Sequence, residues 1–235
     1  MQVKQRGATR APETLNDGHR ARLRARFLES GGSALADYEL LELLLMFAIP
    51  RRDVKPLAKR LLKHFGNLHD VLNAPPEDLE TMEGLGVGTV VLLRLVHKLA
   101  LDTRREKMRD APMLGNRLDL MDYLYTRFAG HTREEFVVLF LDAQLKLLHE
   151  ETLFTGTLTE VTASPREILK RALALNAAGL VVAHNHPSGM PQPSAQDKFF
   201  TNQLVLAMQC MHLTLHDHVI VGTEGCYSFK GAGEL

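Results

Sequence analysis

The spacing of apolar residues changes once along this chain, and that change limits what it can fold into more than any other feature. In the first part, leucines and phenylalanines recur three or four positions apart: Leu23, Phe27 and Leu28, then Leu40, Leu41, Leu44 and Leu45, then Leu57, Leu61, Leu62 and Phe65. Residues so spaced share one face of a helix. Gly31-Gly32, Pro50 and Gly66-Asn67 break the pattern into short helices, so a small all-helical bundle is expected from His19 onward. Pro75-Pro76 opens a further short helix over 77–82, and the run Gly84-Leu85-Gly86-Val87-Gly88 leads into an apolar helix over 89–101.

After residue 117 the period is different. One amphipathic helix is expected over 118–128, and then two short apolar runs, 136–141 and 146–153, flank a polar turn in the manner of a β-hairpin. Ser164, Pro165 and Glu167 supply an N-cap, a first-turn proline and a capping-box acid for a helix over 165–177, closed by Gly179. A buried strand over 180–183, a Pro/Gly/Ser loop over 186–194, a long helix over 195–211 and strands over 213–222 and 226–229 complete an α/β (α+β) domain with a mixed central sheet. The expected organisation is a mobile N-terminal arm over 1–18, a helical domain over 19–102, a charged linker over 103–116 containing Pro112 and Gly115, and the α/β domain over 117–235.

Composition removes several classes. With 45% hydrophobic and 24% charged residues in 235, the chain is neither a disordered tail, nor collagen-like, nor a coiled-coil rod. Basic and acidic residues balance at 28 each, so no global field draws the molecule to a polyanion. Residues 1–110 hold 19 basic and 15 acidic groups, which assigns any nucleic-acid contact to that half. The longest apolar stretch, 40–49, is interrupted by Glu42 and stopped by Pro50, well short of the roughly 20 residues a bilayer requires; no membrane association is expected. The N-terminal residues are polar and basic without an apolar core, so a cytoplasmic location is expected, and Cys210 and Cys226 are expected to be reduced thiols.

The chemistry concentrates in His184-Asn185-His186-Pro187-Ser188-Gly189, followed by Ser194 and Asp197. Two residues apart on an extended chain point the same way, so His184 and His186 can direct both imidazoles at one point as the strand ends. Asp197 follows at the start of the next helix, from where its carboxylate can return to that point. Three nitrogen and oxygen ligands with one open position are what a catalytic zinc site needs. Ser194 and Asp197 also read as a capping box, and capping does not exclude ligation.

His184, His186, Ser194 and Asp197 stand in the order H-x-H-(x10)-S/D, and this resembles the JAMM (MPN+) zinc metallopeptidase motif. The longer string HNHPSGMPQPSAQD, with Asp217-His218-Val219-Ile220-Val221-Gly222 downstream, resembles the RadC family over most of the chain. The resemblance implies a cytidine-deaminase-like mixed sheet flanked by helices and one Zn2+ per chain, held by His184, His186 and Asp197. It further implies that Ser194 helps hold a substrate carbonyl or oxyanion, and that an acid at the start of an upstream apolar strand acts as general base and then acid. That acid is read as Glu135, with Glu134 as competitor because a slip of one residue reverses the face, and Glu151 as a weaker candidate. Zinc nucleobase deaminase chemistry is excluded, since neither cysteine has the P-C-x-x-C spacing. An HNH nuclease is suggested by the letters of 184–186 alone. Asp217-His218 is either an outer pair behind the ligands or an ordinary buried strand dipeptide.

The glycines Gly84, Gly86 and Gly88 can turn backbone N–H groups outward at a helix start, a seat for one phosphate, and they resemble a DNA-binding helix-hairpin-helix. Few bases follow beyond Arg94 and Lys98, so nonspecific DNA binding and a packing hairpin both remain open. Arg20, Arg22, Arg24 and Arg26 are spread around a helix and read as solvated surface. Two functions follow from this reading. One is a zinc-dependent hydrolase of an amide or isopeptide bond in a protein or peptide substrate. The other is a DNA- or replisome-binding adaptor, linked by the RadC resemblance to DNA repair, with little or no catalysis.

Overall fold

A computed structural model describes residues 15–113, 117–131, 133–156, 164–187 and 189–235, with the backbone alone for 15–17. The first fourteen residues of the expected arm lie outside this range. The chain divides into two compact units, one through Leu95 and one from Val96. Among the described residues no helix is long and apolar enough to cross a membrane.

The first unit contains α1 (Leu15–Ser30), α2 (Asp37–Ala48), α3 (Lys55–Phe65), α4 (Leu68–Asn73), α5 (Pro76–Glu80) and the start of α6 (Val87–Asp110). Leu23, Leu41, Leu45, Leu57 and Leu61 form its core as the periodicity requires, joined by Val71, Leu79 and Leu93. Helix α1 begins at Leu15 and not at His19, because a turn added to an existing helix gains a hydrogen bond without a new nucleus and needs no apolar stripe. Phe27 and Leu28 are 38% and 82% exposed. In their place Arg26 ties the end of α1 to the next segment, 2.8 Å from Glu39 Oε1 and 3.0 Å from the Ala34 carbonyl.

Arg20 corrects the expectation of a solvated arginine. It is 7% exposed, and its guanidinium donates to the carbonyls of Met46, Ile49 and Arg52 at 3.4, 2.9 and 2.6 Å. These include carbonyls at the end of α2 that have no partner within the helix. Arg20→Ala is expected to lower stability by about 2–4 kcal/mol, since a hydrogen bond from a charged donor contributes about 1.5–3 kcal/mol and several buried acceptors lose theirs. Urea unfolding measures this, and a loss below about 0.5 kcal/mol would mean that water replaces the guanidinium without cost.

The expected linker is also corrected. Helix α6 continues through Asp110, so residues 103–110 are helical. The charges that suggested a linker instead line an exposed helix face, where Asp102 pairs with Lys98 at 2.5 Å and with Arg105 at 2.9 Å. Arg104 reaches Thr126 at 2.5 Å, and Met108 is buried in the core of the second unit.

The second unit holds the end of α6, α7 (Arg117–Phe128), β1 (Glu135–Leu141), β2 (Leu147–Thr155), α8 (Pro165–Ala174), β3 (Gly179–Asn185), α9 (Ala195–Gln209), β4 (Thr214–Gly222) and β5 (Gly225–Ser228). The five strands form one sheet in the order β2-β1-β3-β4-β5, with β3 and β4 parallel and the other pairs antiparallel. This is the mixed sheet that was expected. Val137, Leu139, Leu141, Val181, Ala183, Val219 and Val221 pack with residues of α7, and Phe136, Val138, Phe140, Leu180 and Val182 pack with residues of α8 and α9. Residues of opposite parity therefore face opposite helix layers. That parity decides what each polar residue at the strand ends can reach. At the start of α8, Ser164 is the N-cap residue and Pro165 opens the helix, but the Ser164 hydroxyl makes no capping bond.

Candidate metal centre

Strand β3 carries His184 on its α9 side, fully buried, and the chain leaves the sheet at His186. The His186 amide still donates to the Val221 carbonyl at 2.8 Å, so the second imidazole is held where β3 ends. The loop that follows packs against Gly222, where a Cβ would stand 2.2 Å from the Gly189 oxygen and 2.9 Å from the Pro191 nitrogen. Only glycine permits that approach. The chain then returns into α9, which begins at the Ser194 cap.

These elements bring the three proposed ligands together. The Nε2 atoms of His184 and His186 are 3.0 Å apart, Asp197 Oδ1 is 3.3 Å from His184 Nε2, and Asp197 Oδ2 is 3.7 Å from His186 Nε2. Ligand atoms of an ion held tetrahedrally at about 2.1 Å stand about 3.4 Å from one another, and the two Nε2 atoms and the His184–Asp197 pair each lie near that spacing. His186 Nδ1 is 3.0 Å from the Met190 carbonyl, which can only accept. Nδ1 therefore carries a proton, and Nε2 is the ring nitrogen turned to the centre.

Asp197 serves both readings made of it. Its Oδ2 accepts from the Ser194 amide at 2.8 Å and from the Ser194 hydroxyl at 2.6 Å, while its own amide donates to Ser194 Oγ at 3.1 Å, completing the capping box. Its Oδ1 faces His184. Burial by itself would raise the Asp197 carboxyl, but the hydrogen bonds and charge of His184 and the bonds from Ser194 outweigh it and hold the group well below the usual carboxylate range. The Ser194 hydroxyl has one proton, and here it goes to Asp197.

Glu135, the acid favoured from sequence, does not join the histidines, whereas its neighbour Glu134 does. Glu134, His184 and His186 each offer a ligand atom within 4.8 Å of the others. Glu135 lies on the opposite face, with its carboxylate 3.2 Å from Arg127 Nη2 and accepting from His131 Nδ1 at 2.9 Å. The hydrogen bond from His131, opposed by burial and aided by the charge of Arg127, lowers its pKa. Phe136 pairs in register with His184, so even-numbered residues of the β1 segment share the His184 face, and Glu134 extends that row. Asn185, 4% exposed, fixes the backbone there: its Oδ1 accepts from the Glu135 amide at 2.7 Å and its Nδ2 donates to the Arg133 carbonyl at 2.9 Å. Glu151 is occupied by Arg171 at 2.7 Å and belongs to β2.

The Asp217-His218 pair splits between the two faces. Asp217 accepts from Ser228 Oγ at 2.5 Å and from the Lys230 amide at 3.1 Å, whereas His218 Nε2 lies 2.9 Å from His184 Nδ1. Burial pushes His218 well below its ordinary pKa, so its ring is neutral. Thr201, which the sequence reading did not single out, is 2.6 Å from His218 Nδ1. Its position four residues after Asp197, on the same helix face, was the available signal.

At the helix-hairpin-helix, Gly84 has φ +97° and its carbonyl accepts from Arg52 at 3.2 Å, while the Glu83 carbonyl accepts from Arg60 at 3.0 Å. Helix α6 starts at Val87, which puts Gly88 in its first turn, and the space beside Gly86 and Gly88 is open. The bases that sequence offered to a phosphate are engaged within the chain: Arg94 donates to the Asn73 carbonyl at 3.1 Å and Lys98 pairs with Asp102.

A mixed sheet between helix layers, with paired histidines where β3 ends and an aspartate at the α9 cap, is the arrangement expected of a JAB-type domain. Residues 114–234 match the model of the RadC-like JAB domain, and residues 18–91 match the UPF0758 N-terminal model. A UPF0758 protein of Rhodobacter capsulatus is 44% identical over 213 residues, covering 91% of this chain and the whole of that relative. Another, of Ruegeria pomeroyi, is 42% identical over 224 residues, covering 95% of this chain and again the whole relative. The chain belongs to the RadC-like, UPF0758 family.

Proposed function

We propose that this protein is a zinc-dependent hydrolase of amide or isopeptide bonds. The observation that carries the reading is the convergence of Glu134 with His184 and His186, beside a buried carboxylate held ionised. His184 Nε2, His186 Nε2 and Asp197 would hold the ion. Zinc so held would supply a Lewis acid that polarises a carbonyl and acidifies water. Glu134 takes the proton of the attacking water on its carboxylate and delivers it to the leaving amine nitrogen, so the same group serves as base and then acid. Asn185 keeps the Glu134 backbone in register with His184. Ser194 holds Asp197, and it donates to a developing oxyanion only by turning its hydroxyl away from Oδ2.

The test is a panel of fluorogenic peptides and ε-lysyl isopeptides offered to the full chain purified without chelator, then stripped and reloaded with zinc. Expected is hydrolysis that follows zinc content. Zinc bound at one per chain with no turnover of any member would favour the adaptor. For that reading DNA binding would be measured next with the full chain at low salt, where phosphate contacts are strongest.

A further inference from the structure

Helix α3 and the loop before it carry an uneven share of the charge, and the metal centre makes no use of it. Residues 51–63 hold six bases, Arg51, Arg52, Lys55, Lys59, Arg60 and Lys63, against the single acid Asp53, in a chain whose bases and acids balance. Packing gathers them on one side: Leu57, Ala58 and Leu61 of α3 are buried, while Lys59, Arg60 and Lys63 are left to solvent. Lys55, Lys59 and Lys63 stand four residues apart on one face, with a rise of about 6 Å per step. The ammonium groups of Lys55 and Lys59 lie over the Tyr38 ring, 5.4 and 4.9 Å from its centre, which restrains the row. Beside it, Arg60 donates to the Glu83 carbonyl at 3.0 Å and Arg52 to the Gly84 carbonyl at 3.2 Å. A carbonyl accepts from a guanidinium without cancelling its charge. Among the described residues, the ion pairs of arginine and lysine all involve other bases, so none of these six is neutralised by a paired carboxylate.

We propose that the basic face of α3 is a docking surface for the phosphate backbone of duplex DNA. The proposal is independent of the hydrolase reading and uses none of its residues. A row of cations about 12 Å long complements a row of phosphates better than it does a single anion, since duplex DNA carries one negative charge per ~1.7 Å of its axis. Residues 50–64 contain no Ser, Thr, Asn or Gln, so the face offers no amide or hydroxyl side chain for the 2′-hydroxyls through which duplex RNA is recognised. The ring in this row, Tyr38, is taken by two ammonium groups, whereas single-strand binding stacks bases on aromatic rings. Contacts to phosphate position a duplex and carry no sequence information, so the surface holds DNA of any sequence. The glycine hairpin serves it by anchoring Arg52 and Arg60 through the Gly84 and Glu83 carbonyls, and is not itself the phosphate seat.

The experiment titrates labelled duplex DNA of mixed sequence with the full chain over a series of salt concentrations. Single-stranded DNA, duplex RNA and vesicles containing phosphatidylserine are titrated beside it. Binding of the wild type to duplex DNA is expected to weaken steeply with salt, with a log–log slope of about −4 to −5 for about five phosphates engaged. Combining Arg51→Ala, Lys59→Ala and Lys63→Ala changes three exposed side chains. The slope should become shallower by about 2–3, and affinity at low salt should fall at least about 10-fold. Gly86→Ala puts a methyl group into open space at the hairpin without altering charge, and should bind as the wild type does. No duplex binding by the wild type at low salt overturns the proposal, as does unchanged affinity in the triple variant. Loss of binding in Gly86→Ala moves the phosphate seat to the hairpin and overturns it too. Should the triple variant not fold, Lys59→Gln alone is expected to make the slope shallower by about 1, and an unchanged slope there overturns it equally. Binding to any of the other three probes as tight as to duplex DNA overturns the choice of partner.

Discussion

His186→Ala is expected to leave the protein folded and without bound metal, where wild type carries about one zinc per chain. His186 is the better probe of the two histidines. Its side chain is 19% exposed and its ring meets the Met190 carbonyl and His184 Nε2, whereas His184 is fully enclosed among Phe136, His218 and Asp197 and would leave a cavity. Loss of a direct ligand should exceed the roughly 10–100-fold cost of losing an outer partner. Stability gives a second readout. A ligand at 100 times its Kd stabilises the folded state by about 2.7 kcal/mol, so added zinc should raise the melting temperature of wild type and leave His186→Ala unmoved. Equal zinc content in the two proteins would remove His186 from the site.

The sequence exposed His184 and His186 because strand alternation is a local rule, and a strand end is where alternate residues turn from core to solvent. Asp197 was visible for a similar reason: a cap position is recognisable from its neighbours, and the same carboxylate proves able to cap and to face His184. The choice between Glu134 and Glu135 was not visible. Residues 136–141 are all buried, because β1 is an interior strand covered by helices on both sides, and such a strand is apolar at every position. With no alternation inside the run, nothing local says which parity faces α9. The pairing of Phe136 with His184, nearly fifty residues away, supplies that information. The chain of contacts from Thr201 through His218 to His184 is hidden for the same reason, since it joins α9, β4 and β3. Arg20 was hidden by its neighbours: among four arginines at alternate positions, only packing against the end of α2 distinguishes the buried one.

The two acids where β1 begins should therefore separate sharply in kinetics. Glu134→Gln is expected to keep zinc and fold while reducing hydrolysis by about 10²–10⁴-fold, the usual contribution of a positioned general acid–base group. Glutamine keeps the size and hydrogen-bonding shape of the side chain but cannot take up a proton at neutral pH. Glu135→Gln should retain turnover and instead lower thermal stability, because its carboxylate accepts from His131 and pairs with Arg127 on the far side of the sheet. Arg127 would keep Glu150 at 3.2 Å and Thr152 at 2.8 Å, so that network loosens without collapsing. The comparison depends on metal content being measured for both variants. Zinc lost from Glu134→Gln would make Glu134 a ligand and not the base. Turnover lost from Glu135→Gln, with full turnover in Glu134→Gln, would show that the strand presents the opposite face to the substrate.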